Sequence, residues 1–172
     1  MSSLLFAFIR LLGALARLPE VRLRVEAAPG APFNIVPVEW VAAAIEALAA
    51  CPGGAGGTFH LVVRDAPTQA ELLATIAERL GARGVSLVDA RGAPLADPSP
   101  LERAVAGRLE GYRPYLTQHV RFDDTGTRRL LDATGLAPAA LSAAVLDALI
   151  DRALAGEEAL AAPLTRGGTP GR

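Results

Sequence analysis

The chain has 172 residues, 51% of them hydrophobic, and a net charge of −1. That suffices for one domain with a real core, and it offers neither the basic excess of a nucleic-acid binder nor the acidic run of a solvating tail. All 17 basic residues are arginine, so a Schiff-base lysine, a P-loop and a Tyr-x-x-x-Lys pair are excluded; the single cysteine, Cys51, excludes an internal disulfide and a Cys-based zinc cluster.

Residues 3–17 read as a helix with Leu4, Leu5, Phe8, Leu11, Leu12 and Leu15 on a broad apolar face, ended by Pro19. The apolar run is shorter than the ~20 residues of a membrane span, and Arg10 interrupts it. No positive residue precedes it as in a secretory signal. A buried helix, no membrane span and a cytoplasmic location are expected. Val21, Leu23 and Val25 alternate with Arg22, Arg24 and Glu26, the pattern of a half-exposed strand. Phe33 to Val36 reads as a short strand, and a helix from Glu39 to Ala50 follows Pro37. Val41, Ala44, Ile45 and Leu48 share one of its faces.

The run Gly53-Gly54-Ala55-Gly56-Gly57 breaks that helix. Thr58 to Val63, apolar on both faces, is the clearest strand and has the character of one buried in a parallel sheet. Thr68-Gln69-Ala70-Glu71 is a capping box that opens a helix stopped by Gly81. Val85 to Val88 reads as a strand, 91–100 as a proline-rich loop and Leu101 to Leu109 as a helix. Val120 to Phe122 reads as extended. Asp123 or Asp124 caps a helix ended by Gly135, and Pro138 opens the last helix. No internal repeat or domain boundary is visible. Residues 1–155 form one unit, and 156–172 are expected to be a disordered tail.

Few side chains suggest chemistry. A Cys51 nucleophile would need a histidine close by, and the sequence does not place His60 or His119 there; His119 has no partner at metal-ligand spacing, and no serine sits in a Gly-x-Ser-x-Gly elbow. His60 reads as a structural residue and Glu39 as a helix-start carboxylate meeting the helix dipole. No catalytic residue, cofactor-binding residue or metal ligand is assigned.

Four segments carry a resemblance. Ile35-Val36-Pro37-Val38-Glu39-Trp40-Val41 is similar to an Ile-Val-Pro-Val-Asp-Tyr-Val pattern. Phe59-His60-Leu61, Tyr112-Arg113-Pro114-Tyr115-Leu116 and Phe122-Asp123-Asp124-Thr125-Gly126-Thr127-Arg128 follow in the order that pattern requires. Together they span residues 33 to 155. This set resembles the C-terminal, substrate-side portion of extended short-chain dehydrogenase/reductases, in the thioester-reductase or fatty-acyl-reductase branch.

The resemblance implies an α/β fold, an incomplete Rossmann-type reductase with about six helices and a few short strands. It implies a substrate pocket bordered by Pro37, Trp40, Tyr112 and Tyr115, and an acyl-thioester or small carbonyl substrate. NADP(H) or NAD(H) would serve the complete enzyme; this chain alone would hold no cofactor and be inactive. The partner implied is the missing Rossmann half, in the same polypeptide or a separate subunit. Leu4 opens an apolar helix almost at once, as an internal start in a longer frame would. Left alone, Thr58 to Val63 would expose a sheet edge and favour self-association. The alternative is a non-catalytic binding or protein-interaction module whose helices cover the strands.

Overall fold

Hydrophobic periodicity accounts for most of the elements in the computed structural model, which describes residues 4–18 and 21–161. They run α1 (Leu4–Leu15), β1 (Leu23–Ala27), α2 (Val38–Ala50), α3 (Gln69–Leu80), β2 (Val85–Asp89), α4 (Pro100–Leu109), α5 (Arg113–Thr117), α6 (Thr125–Leu131) and α7 (Ala143–Ala161). Single 3₁₀ turns follow α4 and α6. The protein is therefore α/β. Its strands pair in parallel, with Leu23 beside Val85 and Ala27 beside Asp89.

The packing centres on α1. Leu5, Ile9 and Leu12 meet Leu72, Leu73 and Ile76 of α3 and Leu146, Ile150 and Ala153 of α7. Leu15 joins a second cluster with Leu23 and Val25 of β1, Val105 and Leu109 of α4 and Leu116 of α5. Ile9, Leu12, Leu23 and Ile76 are fully buried. Arg10, the charge that interrupts the apolar run, donates from Nε to the Ala153 carbonyl at 2.9 Å and so ties α1 to α7. No helix among the described residues is long and apolar enough to cross a membrane.

Local chemistry sets the helix ends. Thr68 accepts from the Glu71 amide and Glu71 returns a bond to Thr68, the expected capping box; Gly81 closes α3 in the left-handed region at φ 68°. Gly84 admits no other residue: its φ is 76°, and a Cβ there would lie 1.8 Å from the Val21 carbonyl oxygen. Its own carbonyl accepts from Leu23, which starts β1 beside β2. The alternation at 21–26 thus becomes β1, with Leu23, Val25 and Ala27 buried.

Several expectations are corrected. Thr58 to Val63 lies outside the ladder, and so does Phe33 to Val36. A strand needs a neighbour to take its amides. Here side chains and turns do that work: Val63 donates to Asn34 Oδ1 at 3.0 Å, and Phe33 donates to the Pro67 carbonyl at 2.8 Å. Thr58 to Val63 therefore forms no sheet edge. Its Phe59 and Leu61 pack instead on Ala44, Leu48 and Leu131, a third and smaller cluster between α2 and α6.

Val120 to Phe122 also lies outside the ladder, with Val120 and Phe122 exposed. Ile45, which shares a face of α2 with Ala44 and Leu48 in the sequence pattern, is 57% exposed while those two are buried. The last helix starts at Ala143 rather than Pro138, with the Ser142 hydroxyl accepting from Val145. Residues 136–140 are held outside it because the Ala137 carbonyl accepts from Trp40 Nε1. α7 runs to Ala161. Pro19 and residues 162–172 lie outside the described residues.

Candidate functional site

Glu102 sits in the first turn of α4, where Ser99 and Glu102 form a second capping box. Its Oε1 accepts from the Arg24 amide at 3.0 Å and from Arg24 Nε at 2.7 Å. Its Oε2 accepts from Arg24 Nη2 at 2.9 Å and from the Ser99 amide at 2.7 Å. The Arg24 guanidinium, then the Ser99 amide, hold this carboxyl at about 2, well below the usual range. The pair fastens α4 across β1 and leaves no carboxylate lone pair for chemistry.

Beside this clasp lies a groove of about 330 Å³. That is near the lower end of ligand sites, which run from roughly 300 to 1,000 Å³. Val25, Val105, Leu109 and Leu116 make an apolar floor, and Pro94, Leu95 and Pro98 of the loop before α4 make one wall. Arg24, Arg103 and Arg113 stand among Glu26, Glu102 and Glu110 on its lining. Arg113 lies 3.6 Å from Glu26, and the Arg103 guanidinium donates to the Pro98 carbonyl. The arrangement suits an apolar ligand segment with a polar end at the charged rim.

The four residues expected at a substrate pocket fall into different places. Pro37 stands at the N-terminus of α2. Trp40 lines a cleft with His60, Arg64, Asp124 and Arg128, but that cleft measures only about 30 Å³. A water needs roughly 10–15 Å³ of such space, so two or three waters fit and a substrate does not. Tyr112 packs half-buried on the β1–α4 cluster, beside the groove floor. Tyr115 is 69% exposed.

The other candidates are equally dispersed. The Cys51 sulfur lies 3.8 Å from the Leu130 carbonyl oxygen. The His60 ring meets the Phe122 ring in a tilted arrangement, centroids 5.2 Å apart. His119 lies 3.9 Å from Asp89, whose carboxyl is lowered to about 2 chiefly by Arg91. Among the described residues no cluster of His, Cys, Asp and Glu is arranged to hold a metal ion.

Groove residues such as Arg24, Leu95, Glu102 and Arg103 stand outside the motifs singled out from the sequence. Ser99-Pro100-Leu101-Glu102 does carry a readable capping signal, but the arginine that clasps Glu102 comes from 78 residues away.

Among the described residues the strand, glycine turn and helix N-terminus of a dinucleotide site do not follow one another. The pyrophosphate needs a strand, a short glycine turn and an open helix N-terminus. β1 is followed by irregular chain up to α2, and β2 by a ten-residue loop into α4, whose N-terminus the Ser99–Glu102 box already occupies. The glycine run at 53–57 leaves a helix and enters no strand. Comparison with known proteins finds no matching family model, no matching curated protein and no matching solved structure.

Proposed function

We propose that this chain is the substrate-side part of an NAD(P)-dependent reductase of the extended short-chain type. It binds the acyl part of a thioester, or a related carbonyl substrate, and depends on a separate Rossmann segment for the dinucleotide and the tyrosine–lysine pair. The apolar groove at the Tyr112–Leu116 element carries this reading, because its floor suits an alkyl chain and its rim suits a polar end. Each methylene buried there contributes about 0.8 kcal/mol, so a medium-length acyl chain gains several kcal/mol from the floor alone. The chain's own residues bind and orient the substrate and exclude water.

Isothermal titration with decanoyl-coenzyme A tests the proposal. Binding is expected in wild type and strongly reduced in Ala106→Trp, which places an indole in the groove from an exposed position on α4. NADPH titrated alone should give no heat. Failure of decanoyl-coenzyme A to bind, or equal binding by the two proteins, would sink the reading.

A second reading, a protein-interaction module, is favoured by one observation. Val38 and Ile45, seven residues apart on α2, are 71% and 57% exposed. A partner covering that face need not touch the groove. Saturable decanoyl-coenzyme A binding that the groove variant removes favours the reductase reading over this one.

A further inference from the structure

The two edges of the β1–β2 sheet differ in how their backbone is satisfied. Leu23 donates to the Gly84 carbonyl and Ala90 to the Ala27 carbonyl. With the parallel register, these bonds fix which groups face inward: those of 23, 25 and 27 on β1, and of 84, 86, 88 and 90 on β2. The outer edge of β1 is closed, because the Arg24 amide donates to Glu102 and the Ala28 amide to the Leu116 carbonyl at 2.8 Å. On the outer edge of β2, the amides of Val85, Leu87 and Asp89 and the carbonyls of Val85 and Leu87 have no partner among the described residues. Buried backbone groups are almost always paired, so this row faces water. The Val85 and Leu87 side chains stay packed on the core, while Ser86 is exposed. Neither proline nor lysine blunts Val85–Asp89, and an open edge of this kind is a template for a further strand.

We infer that the strand which fills this edge is β2 of a second copy of the chain, antiparallel about a two-fold axis at Ser86. Only 85, 87 and 89 offer bonds outward, so odd residues must lie opposite odd residues. An axis at Leu87 sets Val85 against Asp89 and Arg83 against Arg91, a mismatched pair and a like-charged one. An axis at Ser86 sets Val85 against Leu87 of the second copy, each such pair exchanging both its bonds, and brings Arg83 beside the second copy's Asp89 at both ends. Arg83 is exposed and has no ion-pair partner among the described residues. The Asp89 side chain, though held by Arg91, is 42% exposed, so a second guanidinium can reach it. Charge complementarity therefore selects this axis and a second copy as the occupant. The edge has five residues and buries less than a permanent interface needs, so the dimer is weak and concentration-dependent. No β2 residue lines the groove, and the inference stands apart from the proposed substrate.

The test uses the full chain with Cys51→Ser, which leaves no native thiol. At the axis, Ser86 of one copy faces Ser86 of the other as a pair without shared bonds, about 4.5 Å apart at Cα and within disulfide reach. Val88 of one copy lies offset by about 13 Å along the strand from Val88 of the other, beyond that reach. Mild oxidation at high protein concentration should cross-link Ser86→Cys into dimers, and should cross-link Val88→Cys and Ala104→Cys, the latter exposed on α4, at least roughly tenfold less. Arg83→Glu, combined with Ile45→Glu so that the α2 face takes no part, should weaken dimerisation roughly tenfold in sedimentation velocity, because it creates a like-charged pair at each end. All these positions lie at the surface or outside the main clusters, and each variant should keep the wild-type thermal transition.

Selective cross-linking through Ser86→Cys together with a weakened Arg83→Glu dimer supports the inference. No cross-link at Ser86→Cys, or equal cross-linking at the three positions, overturns it. A dimer that Arg83→Glu leaves unchanged overturns the axis at Ser86, and a chain monomeric at every concentration overturns the second copy as the occupant of the edge.

Discussion

α1 and α2 are both rich in apolar residues, but α1 is covered on two flanks and α2 on one. Around α1, side chains from α3 and α7 bring Ile9 and Leu12 to zero exposure, and side chains from β1 and α4 cover Leu15. Around α2, only Ala44 and Leu48 are buried, against Leu131 of α6, and Val38 and Ile45 face outward. The helix starts differ in the same direction. α3, in the first region, opens on a reciprocal capping box, whereas α2 opens on Pro37 with no side-chain cap. Stability is thus concentrated around α1, and the α2–α6 side is the region with surface left for a partner.

The largest effect should come from the first region. Leu12→Ala removes a fully buried side chain from the cluster of α1, α3 and α7 and should cost about 2–5 kcal/mol, because the surrounding helices cannot collapse into the gap. Urea unfolding followed by circular dichroism reads this directly. A loss below about 1 kcal/mol would mean that α1 is not the centre of the fold and that the contrast with α2 is misplaced.

The same contrast decides what was legible in the sequence. Where a pattern needs only its own residues, it was readable: the Thr68–Glu71 box, Gly81 as a helix stop, and the alternation that becomes β1. Thr58 to Val63 shows why pattern alone is insufficient. Alternation reports which side chains are buried, and Phe59 and Leu61 do pack inward. It does not report whether the backbone finds a ladder, and here Asn34 supplies the bond to Val63. The start of α7 failed for a similar reason. Pro138 is a sound first-turn residue, but a bond from Trp40, 97 residues away, holds Ala137 out of the helix. The groove was invisible because β1, the loop before α4, α4 and α5 each contribute a part.

Acid should act next on the well-packed side. Glu102 and Asp89 both titrate at about 2 in the folded chain, against roughly 4.3 and 3.9 when unfolded. Because the folded values are depressed, these groups stabilise the fold above pH ~4 and lose that contribution as pH falls toward 2. Asp123, beside α6, is lowered in the same direction by Thr125 and adds to the acid limb. Glu102→Gln should lower stability at neutral pH and flatten its decline between about pH 4.5 and 2.5. An unchanged acid limb in that variant would show that the Arg24–Glu102 clasp does not couple to folding.

The smallest effect on stability, and the sharpest test of the comparison, belongs to Ile45. A large apolar residue in the middle of a helix normally loses heavily when replaced by a charge, because burial is lost and a carboxylate is stranded. Ile45 is 57% exposed, so glutamate there keeps its water and takes a residue type that favours helix. Ile45→Glu should therefore change stability by no more than about 0.5 kcal/mol. It should also reduce self-association seen by sedimentation velocity, since Val38 and Ile45 form the exposed apolar stripe of α2. A loss above about 1 kcal/mol without any change in sedimentation would place that stripe inside the folded monomer. Neutral stability with weaker association would leave the α2 face as the surface open to a partner, independently of the function of the groove, which no α2 residue lines.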